Sequence, residues 1–184
     1  MPPIILLDLN FTLVENSRER FSFAKQGKYE LWVRDFERYR GWLVDLLAGH
    51  HVILVTARRP VYRDVTLASI ARQHNGWQPD ESHWNPTPDK LEPHEFKEIT
   101  LARDIVPIHG PVEPGRYLGL ESNVLTRAMY SRHGVYSVKV PSTAGVWRDL
   151  PPVPNIVPAI PAPPVPWARR GRQKPENGDQ PVLF

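Results

Sequence analysis

The sequence predicts a protein of the α/β class, in which a mostly parallel sheet lies between two layers of helices. Short apolar runs alternate with segments of helical periodicity from residue 1 to about residue 142. The runs are almost continuously apolar, which is typical of strands that are buried on both faces. A helical segment separates most runs from the next, as the crossover connections of a parallel sheet require.

The first half of the alternation contains two strands and a helix. The first predicted strand covers residues 4–8 and ends in an acidic residue. Apolar residues then recur at helical spacing over residues 31–47, and Gly49 ends this predicted helix, since glycine readily adopts the backbone conformation of a helix C-terminus. A second buried strand covers residues 52–55 and ends at Thr56.

The second half continues the pattern, with Pro60 and Pro93 each opening a helix because proline suits the first helical turn. The predicted elements are a helix over 60–76, a strand over 82–84, a helix over 93–105, a strand over 117–120, a helix over 124–133 stopped by Gly134, and a strand over 135–140. Right-handed crossovers place all strand ends at one edge of the sheet. We therefore expect one site at this edge, formed by Asp8, Thr56 and Glu121.

Composition narrows the class of protein. The chain has 184 residues, 41% hydrophobic and 23% charged, which suits a globular domain with a real core. It has no cysteine, which excludes disulfides, thiolate metal sites and a cysteine nucleophile. No apolar stretch approaches the roughly 20 residues that span a bilayer, and no basic-then-apolar leader is present, so we expect a cytoplasmic protein without a membrane partner. The net charge of +3 is not that of a dedicated nucleic-acid binder.

Proline divides the chain into two parts, since ten of its 21 prolines lie at or after Pro151. We predict a domain over residues 1–145 and an extended, Pro-rich and locally basic tail over residues 146–184. The tail contains two Pro-x-x-Pro segments, at residues 158–161 and 163–166. They are either ligands for a protein partner with an aromatic groove or part of a passive spacer.

Four residues of the predicted edge have the chemistry of phosphoryl transfer. The carboxylate of Asp8 is a competent covalent nucleophile. Thr56, followed by Ala57 and Arg58, offers a hydroxyl and backbone N–H groups to phosphoryl oxygens, and Lys97 neutralises nucleophile and phosphate as a point charge. Glu121 supplies the hard oxygen that Mg²⁺ prefers, and a cation is needed because an anionic nucleophile must approach an anionic ester.

These segments resemble the motifs of the haloacid dehalogenase (HAD) superfamily. Residues 8–13, Asp-Leu-Asn-Phe-Thr-Leu, are similar to its first motif, Asp-x-Asp-x-Thr-Leu, and residues 52–56 to its second. Lys97 fits the lysine of the third motif, and residues 118–134 resemble the fourth. The resemblance covers about residues 3–142 and is strongest to the phosphatase domains of polynucleotide repair enzymes and small phage phosphatases.

The resemblance implies a Rossmann-like fold, a bound Mg²⁺ and an aspartyl-phosphate intermediate on Asp8. It also implies that the backbone carbonyl of Asn10 joins Asp8 and the acidic residue Glu121 around the metal. Residues 13–30, between the first motif and the first long helix, are short, so no large cap domain is expected. In this family an open site accompanies large substrates such as nucleic-acid ends or proteins.

Two positions depart from the family pattern. Asn10 stands where the family has the aspartate that acts as general acid and base, and an amide cannot transfer a proton. The fourth motif offers Glu121, Ser122 and Asn123 instead of one or two aspartates. An active but slow phosphatase, a phosphate-binding relic and an enzyme with another acid all stay open. Glu15 is either a replacement acid or a solvated loop carboxylate.

The sequence therefore predicts a Mg²⁺-dependent phosphohydrolase that acts on a phosphorylated small molecule, such as a nucleotide, or on a nucleic-acid end. The alternative is a non-catalytic binding or structural module with the same fold. Arg58, Arg59 and Arg63 either contact substrate phosphates or form a solvated helix face. The seven histidines show no pair at the spacing of one helical turn, so a zinc site is not expected.

Overall fold

A computed structural model describes residues 2–154 of the chain. Its centre is a five-stranded sheet with the order β3-β2-β1-β4-β5, in which all neighbours are parallel. The strands are β1 (Ile4–Leu7), β2 (Val52–Thr56), β3 (Glu81–Trp84), β4 (Tyr117–Leu120) and β5 (Tyr136–Val138). The strand order reverses direction between β1 and β4, which is where parallel α/β sheets open a crevice at their carboxyl edge.

Two hydrophobic clusters cover the two faces of the sheet, which confirms the predicted three-layer α/β fold. Alternate side chains of a strand point to opposite faces, so Ile5 and Leu7 enter one cluster and Leu6 the other. The α-helices around the sheet are α1 (Arg20–Lys25), α2 (Tyr29–Asp35), α3 (Gly41–Leu47), α4 (Arg63–Gln73), α5 (Pro93–Thr100), α6 (Val106–His109) and α7 (Val124–Arg132). Helices α2, α3 and α4 pack on the first face, and α5 and α7 on the second.

The single helix predicted over residues 31–47 is wrong, because the chain forms α2 and α3 with a non-helical segment between them. Tyr39 makes an antiparallel bridge to Val14, and Arg40 donates side-chain hydrogen bonds to the backbone carbonyls of Phe11 and Thr12. These long-range partners of residues 36–40 outweigh the local helical pattern. The segment thereby holds the loop that follows β1.

The helix predicted over residues 93–105 is present but changes its geometry. A capping box between Glu92 and Glu95 starts α5, and a π-helix at Leu101–Ile105 follows it before α6 begins. A π-helix is an uncommon insertion that is often found near functional sites. Leu101 and Ile105 are buried in the second cluster, so the wider turn keeps both on the sheet face.

The described residues contain no separate cap domain between β1 and β2, since α2 and α3 belong to the main core. Beyond residue 145, Trp147 packs edge-on against Trp42 with 6.4 Å between ring centroids, and Leu150 and Val153 also contact the first cluster. The domain boundary at residue 145 stays a prediction. The Pro-x-x-Pro segments at 158–161 and 163–166 and the rest of the predicted tail beyond residue 154 lie outside the described residues.

Within residues 2–154, no helix has the length and apolar character that crossing a membrane would require.

Candidate active site

Asp8 lies at the carboxyl edge of the sheet, one residue beyond β1. Its backbone N–H donates to the carbonyl of Leu120 at 2.9 Å, which continues the ladder between β1 and β4 and fixes the position of the residue. The residue is 8% exposed. A carboxylate with so little access to water needs partners, because an unpaired buried charge is costly.

Lys97 is the cationic partner of Asp8. The side chain comes from the middle of α5, is 2% exposed, and places Nζ 2.7 Å from Asp8 Oδ1 and 2.5 Å from Glu121 Oε2. Burial alone would lower the pKa of Lys97, but the charges of Asp8 and Glu121 outweigh it and raise the pKa. The lysine is therefore charged at every physiological pH.

Glu121 lies at the equivalent position after β4 and is 1% exposed. Its Oε1 accepts a hydrogen bond from the backbone N–H of Asn123 at 2.8 Å, while Oε2 faces Lys97. Burial and the nearby Asp8 charge raise the pKa of Glu121 to about 7, against the opposing effect of Lys97. Two carboxylates thus share one cation, and the negative charge of the group exceeds what Lys97 neutralises only as Glu121 ionises, above about pH 7.

Two hydroxyl groups complete the surroundings of Asp8. Thr12 Oγ1 donates to Asp8 Oδ2 at 2.9 Å, and Ser122 Oγ lies 3.2 Å from the same oxygen and 3.1 Å from the backbone carbonyl oxygen of Asn10. The sequence did not predict the contact of Ser122. Arg127 holds that loop by donating to the carbonyls of Glu121 and Ser122.

Asn10 is connected to a buried ion pair that the sequence did not predict. Its Oδ1 accepts from Arg58 Nη2 at 3.2 Å, and the same guanidinium forms a bidentate pair with Glu37. Arg58 also donates to Thr66 Oγ1 at 2.8 Å. Glu37 lies in the segment between α2 and α3, and only the break in the predicted helix turns it towards Arg58.

The remaining predicted residues occupy the same edge without touching Asp8 in the described contacts. Thr56 ends β2, is fully buried, and its Oγ1 accepts from the backbone N–H of Arg58 at 3.2 Å across Ala57. Arg58 is buried, so the solvated-face interpretation is wrong for it. Arg59 is exposed and pairs with Asp89, and Arg63 is exposed at the start of α4.

The oxygens around Asp8 fit a small hard cation. Ser122 Oγ lies 3.2 Å from Asp8 Oδ2 and 3.1 Å from the carbonyl oxygen of Asn10. All three oxygens are of the type that Mg²⁺ prefers. Both oxygens of Glu121 already have partners, Lys97 and the backbone N–H of Asn123. Glu121 therefore contacts Lys97 and is not one of the three oxygens around the cation position.

A cleft of about 980 Å³ adjoins this edge and includes Ser122 and Asn123 in its wall. Its charged lining is mainly basic: Arg18, Arg38, Arg40 and Lys139, against Glu15 and Glu19. Glu15 is exposed on this wall rather than in contact with Asp8. A second cleft of the same volume lies at the opposite edge of the sheet, beside Ile4 and Arg116, and neither Asp8 nor Glu121 lines it.

Comparisons with known proteins bear on the fold. No family model and no curated protein matches the chain. Solved structures do match, among them a chain of the Pnkp1/Rnl/Hen1 RNA repair complex, at 19% identity and a TM-score of 0.53, and a chain of another structure of the Pnkp1/Rnl/Hen1 complex, at 18% identity and a TM-score of 0.55. At these identities the similarity supports a common fold.

The match covers 76% of this chain in both comparisons but only 42% and 45% of the neighbouring chains. The chain therefore corresponds to less than half of either neighbour.

Proposed function

We propose that this chain is a Mg²⁺-dependent phosphohydrolase of the HAD type, which removes the phosphoryl group of a phosphomonoester through an aspartyl-phosphate on Asp8. The observation that carries the proposal is the buried contact of Lys97 with both Asp8 and Glu121 at the carboxyl edge of the sheet. A nearly buried carboxylate that is held by a fixed cation suits nucleophilic attack on phosphorus, because the cation offsets repulsion between the reacting anions.

The reaction has two displacements. An oxygen of Asp8 bonds to phosphorus while the ester P–O bond breaks, and the leaving oxygen takes a proton from water. Water then attacks phosphorus, breaks the bond to Asp8 and releases inorganic phosphate. Lys97 stays protonated throughout and compensates charge on the phosphoryl oxygens. Asn10 supplies no proton in either step, so we expect both steps to be slow.

Asp8 and the carbonyl oxygen of Asn10 would hold the Mg²⁺, with Ser122 Oγ in contact with both. Glu121 contributes its negative charge to the metal site through its position beside Lys97 and Asp8. The bound ion supplies electrostatic stabilisation of the phosphoryl oxygens.

The phosphoryl group would lie between Asp8 and the loop after β2. Thr56 and the backbone N–H of Ala57 are the donors that this loop offers, and the N–H of Arg58 joins them once it releases Thr56 Oγ1. We infer that the Arg58 side chain acts as a positioning group, because the pair with Glu37 occupies it and it reaches the site only through Asn10.

The substrate we propose is a nucleic-acid end, with a nucleotide as the smaller member of the same class. Two observations support it: the charged lining of the cleft beside Ser122 is mainly basic, and the structural neighbours are chains of an RNA repair complex. A cytoplasmic location and a protein partner for residues 146–184 belong to the same proposal.

The experiment measures inorganic phosphate released from a generic aryl phosphate and from oligonucleotides with 3′- or 5′-phosphates, with Mg²⁺ or with a chelator. We expect Mg²⁺-dependent release that Asp8→Asn abolishes. Asp45→Asn, an exposed residue of α3 at the opposite edge, is the matched control and should keep the activity.

Equal release by wild type and Asp8→Asn would refute the nucleophile, and no release from any of these substrates would favour the second candidate. That candidate is a non-catalytic module, and Asn10 is the observation that favours it, because a carboxylate is missing where the reaction needs a proton donor.

A further inference from the structure

A second cluster of metal-ligating side chains lies at the edge of the sheet opposite to Asp8. His51 directly precedes β2, Glu81 is the first residue of β3, and His109 is the last residue of α6. Because β2 and β3 are parallel neighbours with Ile53 opposite Glu81, their first residues reach the same edge. The ligand atoms of the three side chains all lie within 4.8 Å of one another.

The two imidazoles converge on one carboxylate oxygen. Nε2 of His51 is 2.9 Å and Nε2 of His109 is 2.8 Å from Glu81 Oε1, and the two ring centroids are 5.1 Å apart. Nε2 of His109 is buried, and among the described residues it has no hydrogen-bond partner of acceptable geometry, so a proton on it would not point along the line to the oxygen. This nitrogen is therefore a buried ligand atom without a hydrogen-bond partner in residues 2–154, beside Glu81 and His51.

The separations are close to those around a metal ion. Tetrahedral ligands at about 2.0–2.2 Å from zinc lie about 3.3 Å from one another. The two histidine–carboxylate contacts therefore need to lengthen by only about 0.5 Å, which rotation of the partly exposed His51 and Glu81 side chains supplies.

The backbone holds the three residues in place. The carbonyl of His51 accepts from Ile5 N–H at 2.9 Å, and the N–H of Asp80 donates to the carbonyl of Val52 at 2.9 Å. After α6, the hydroxyl of Tyr117 donates to the carbonyl of Gly110 at 2.7 Å. The ligands are therefore on rigid elements, which reduces the ordering that metal binding requires.

A second carboxylate stands behind His51. Asp80 Oδ2 is 3.9 Å from Nδ1 of His51 and accepts from the backbone N–H of Val52 at 2.8 Å. At this distance Asp80 makes no hydrogen bond to the ring, but it adds a second negative charge beside the cluster, which favours a bound cation.

We propose that His51, Glu81 and His109 bind one divalent transition-metal ion, with Zn²⁺ as the ion that two imidazoles and one carboxylate suit best. Water fills the fourth position, since His51 and Glu81 are partly exposed. The ion joins the start of β2, the start of the edge strand β3 and the end of α6. Its role is to hold the edge strand and the helix end together.

The test is metal retention by the full, untagged chain. The protein is incubated with Zn²⁺ in excess Mg²⁺, which occupies oxygen-rich sites, and is dialysed before its zinc content is measured. Co²⁺ in place of Zn²⁺ gives a visible absorption band when imidazole ligands bind it. We expect one equivalent of zinc and the band in wild type, with loss of both in His51→Ala and His109→Ala.

His133→Ala is the matched control. His133 Nε2 lies 2.6 Å from Glu98 Oε1 at similar exposure, so it forms a His–Glu contact without a second histidine. The His133→Ala variant should therefore retain the full equivalent of zinc. If an alanine variant does not fold, Glu81→Gln serves in its place, since it keeps the shape and removes the anionic ligand. The proposal would be overturned if the wild-type protein failed to retain zinc, or if all variants retained it equally.

Discussion

Lys97 is the residue whose contacts account for most of the candidate site. A buried ammonium between two carboxylates is stable only as a group, because each member compensates the desolvation of the others. The sequence predicted Asp8 and Glu121 from strand ends and Lys97 from its charge and its place among the motifs, and in the structure Lys97 contacts both carboxylates. It could not predict Ser122 or the Arg58–Glu37 pair, since both depend on loop conformations without a periodic signal.

We expect Lys97→Met to lower the free energy of unfolding by about 3–5 kcal/mol at pH 8, because it leaves two buried carboxylates without their cation. The folded-state pKa of Glu121 is already above its ordinary value and rises further without Lys97. A carboxyl group whose pKa is raised in the folded state contributes less to stability as the pH rises. The loss of unfolding free energy caused by Lys97→Met should therefore be smaller at pH 6 than at pH 8. Urea unfolding of wild type and variant at both pH values measures this difference in unfolding free energy.

Lys90→Met, at an exposed lysine just before α5, is the control and should change the stability by less than about 0.5 kcal/mol. A deficit for Lys97→Met as small as that of the control would contradict the buried ion group.

Asn10→Asp should accelerate phosphate release, by up to about 10²–10⁴-fold, because it restores a proton-transferring group at the site. Arg58 Nη2 lies 3.2 Å from the oxygen that the change converts to a carboxylate, so the gain should lie in the lower part of that range. Steady-state kinetics on the same phosphomonoester measure kcat for both proteins.

Asn75→Asp, an exposed position after α4, controls for the added charge and should leave kcat unchanged. Activity that appears only in Asn10→Asp would identify the natural chain as the non-catalytic module. An unchanged or lower kcat would mean that residue 10 is not the position of the proton donor.

At the scale of elements, β4 lies so close to β5 and α7 at Gly119 that a larger side chain there would force a neighbour to move. A Cβ on Gly119 would lie 2.8 Å from the Cβ of Ser137 on β5 and 3.1 Å from the ring of Tyr130 on α7. The sequence showed Gly119 inside an apolar strand, but not which neighbours require it. The same contacts position the strand that carries Glu121.

Gly119→Ala should therefore destabilise the fold by about 1–3 kcal/mol through overpacking. Adding Ser137→Gly removes the nearest atom, so a double-mutant cycle of chemical unfolding should give a favourable coupling between the two changes. Additive effects would show that the close approach to Ser137 is not the cause.

At the scale of the whole molecule, the sequence predicted all five strands, a mostly parallel sheet and the layers, and every strand pair of the sheet is parallel. Buried parallel strands carry their own signal in residues such as Ile5 and Ile53, whereas the break between α2 and α3 was missed because residues 36–40 are set by distant partners. The π-helix after α5 was missed for a related reason, since the core contact of Leu101 and Ile105 decides it.

Residues 146–154 contribute to the core through Trp147, Leu150 and Val153. We expect a chain of residues 1–145 to be less stable than one of residues 1–154, by about 2–4 kcal/mol for the partial burial of three apolar side chains. Equal unfolding midpoints in urea would show instead that the domain is complete at residue 145.

The central claim is that Asp8 takes the phosphoryl group, and the most direct measurement is mass spectrometry of the acid-quenched protein after reaction with a phosphorylated oligonucleotide and Mg²⁺. The account predicts one added phosphoryl group on the peptide that contains Asp8, and none in Asp8→Asn. Mg²⁺-dependent phosphate release without a phosphorylated Asp8 peptide, or a phosphoryl group on another residue, would contradict it.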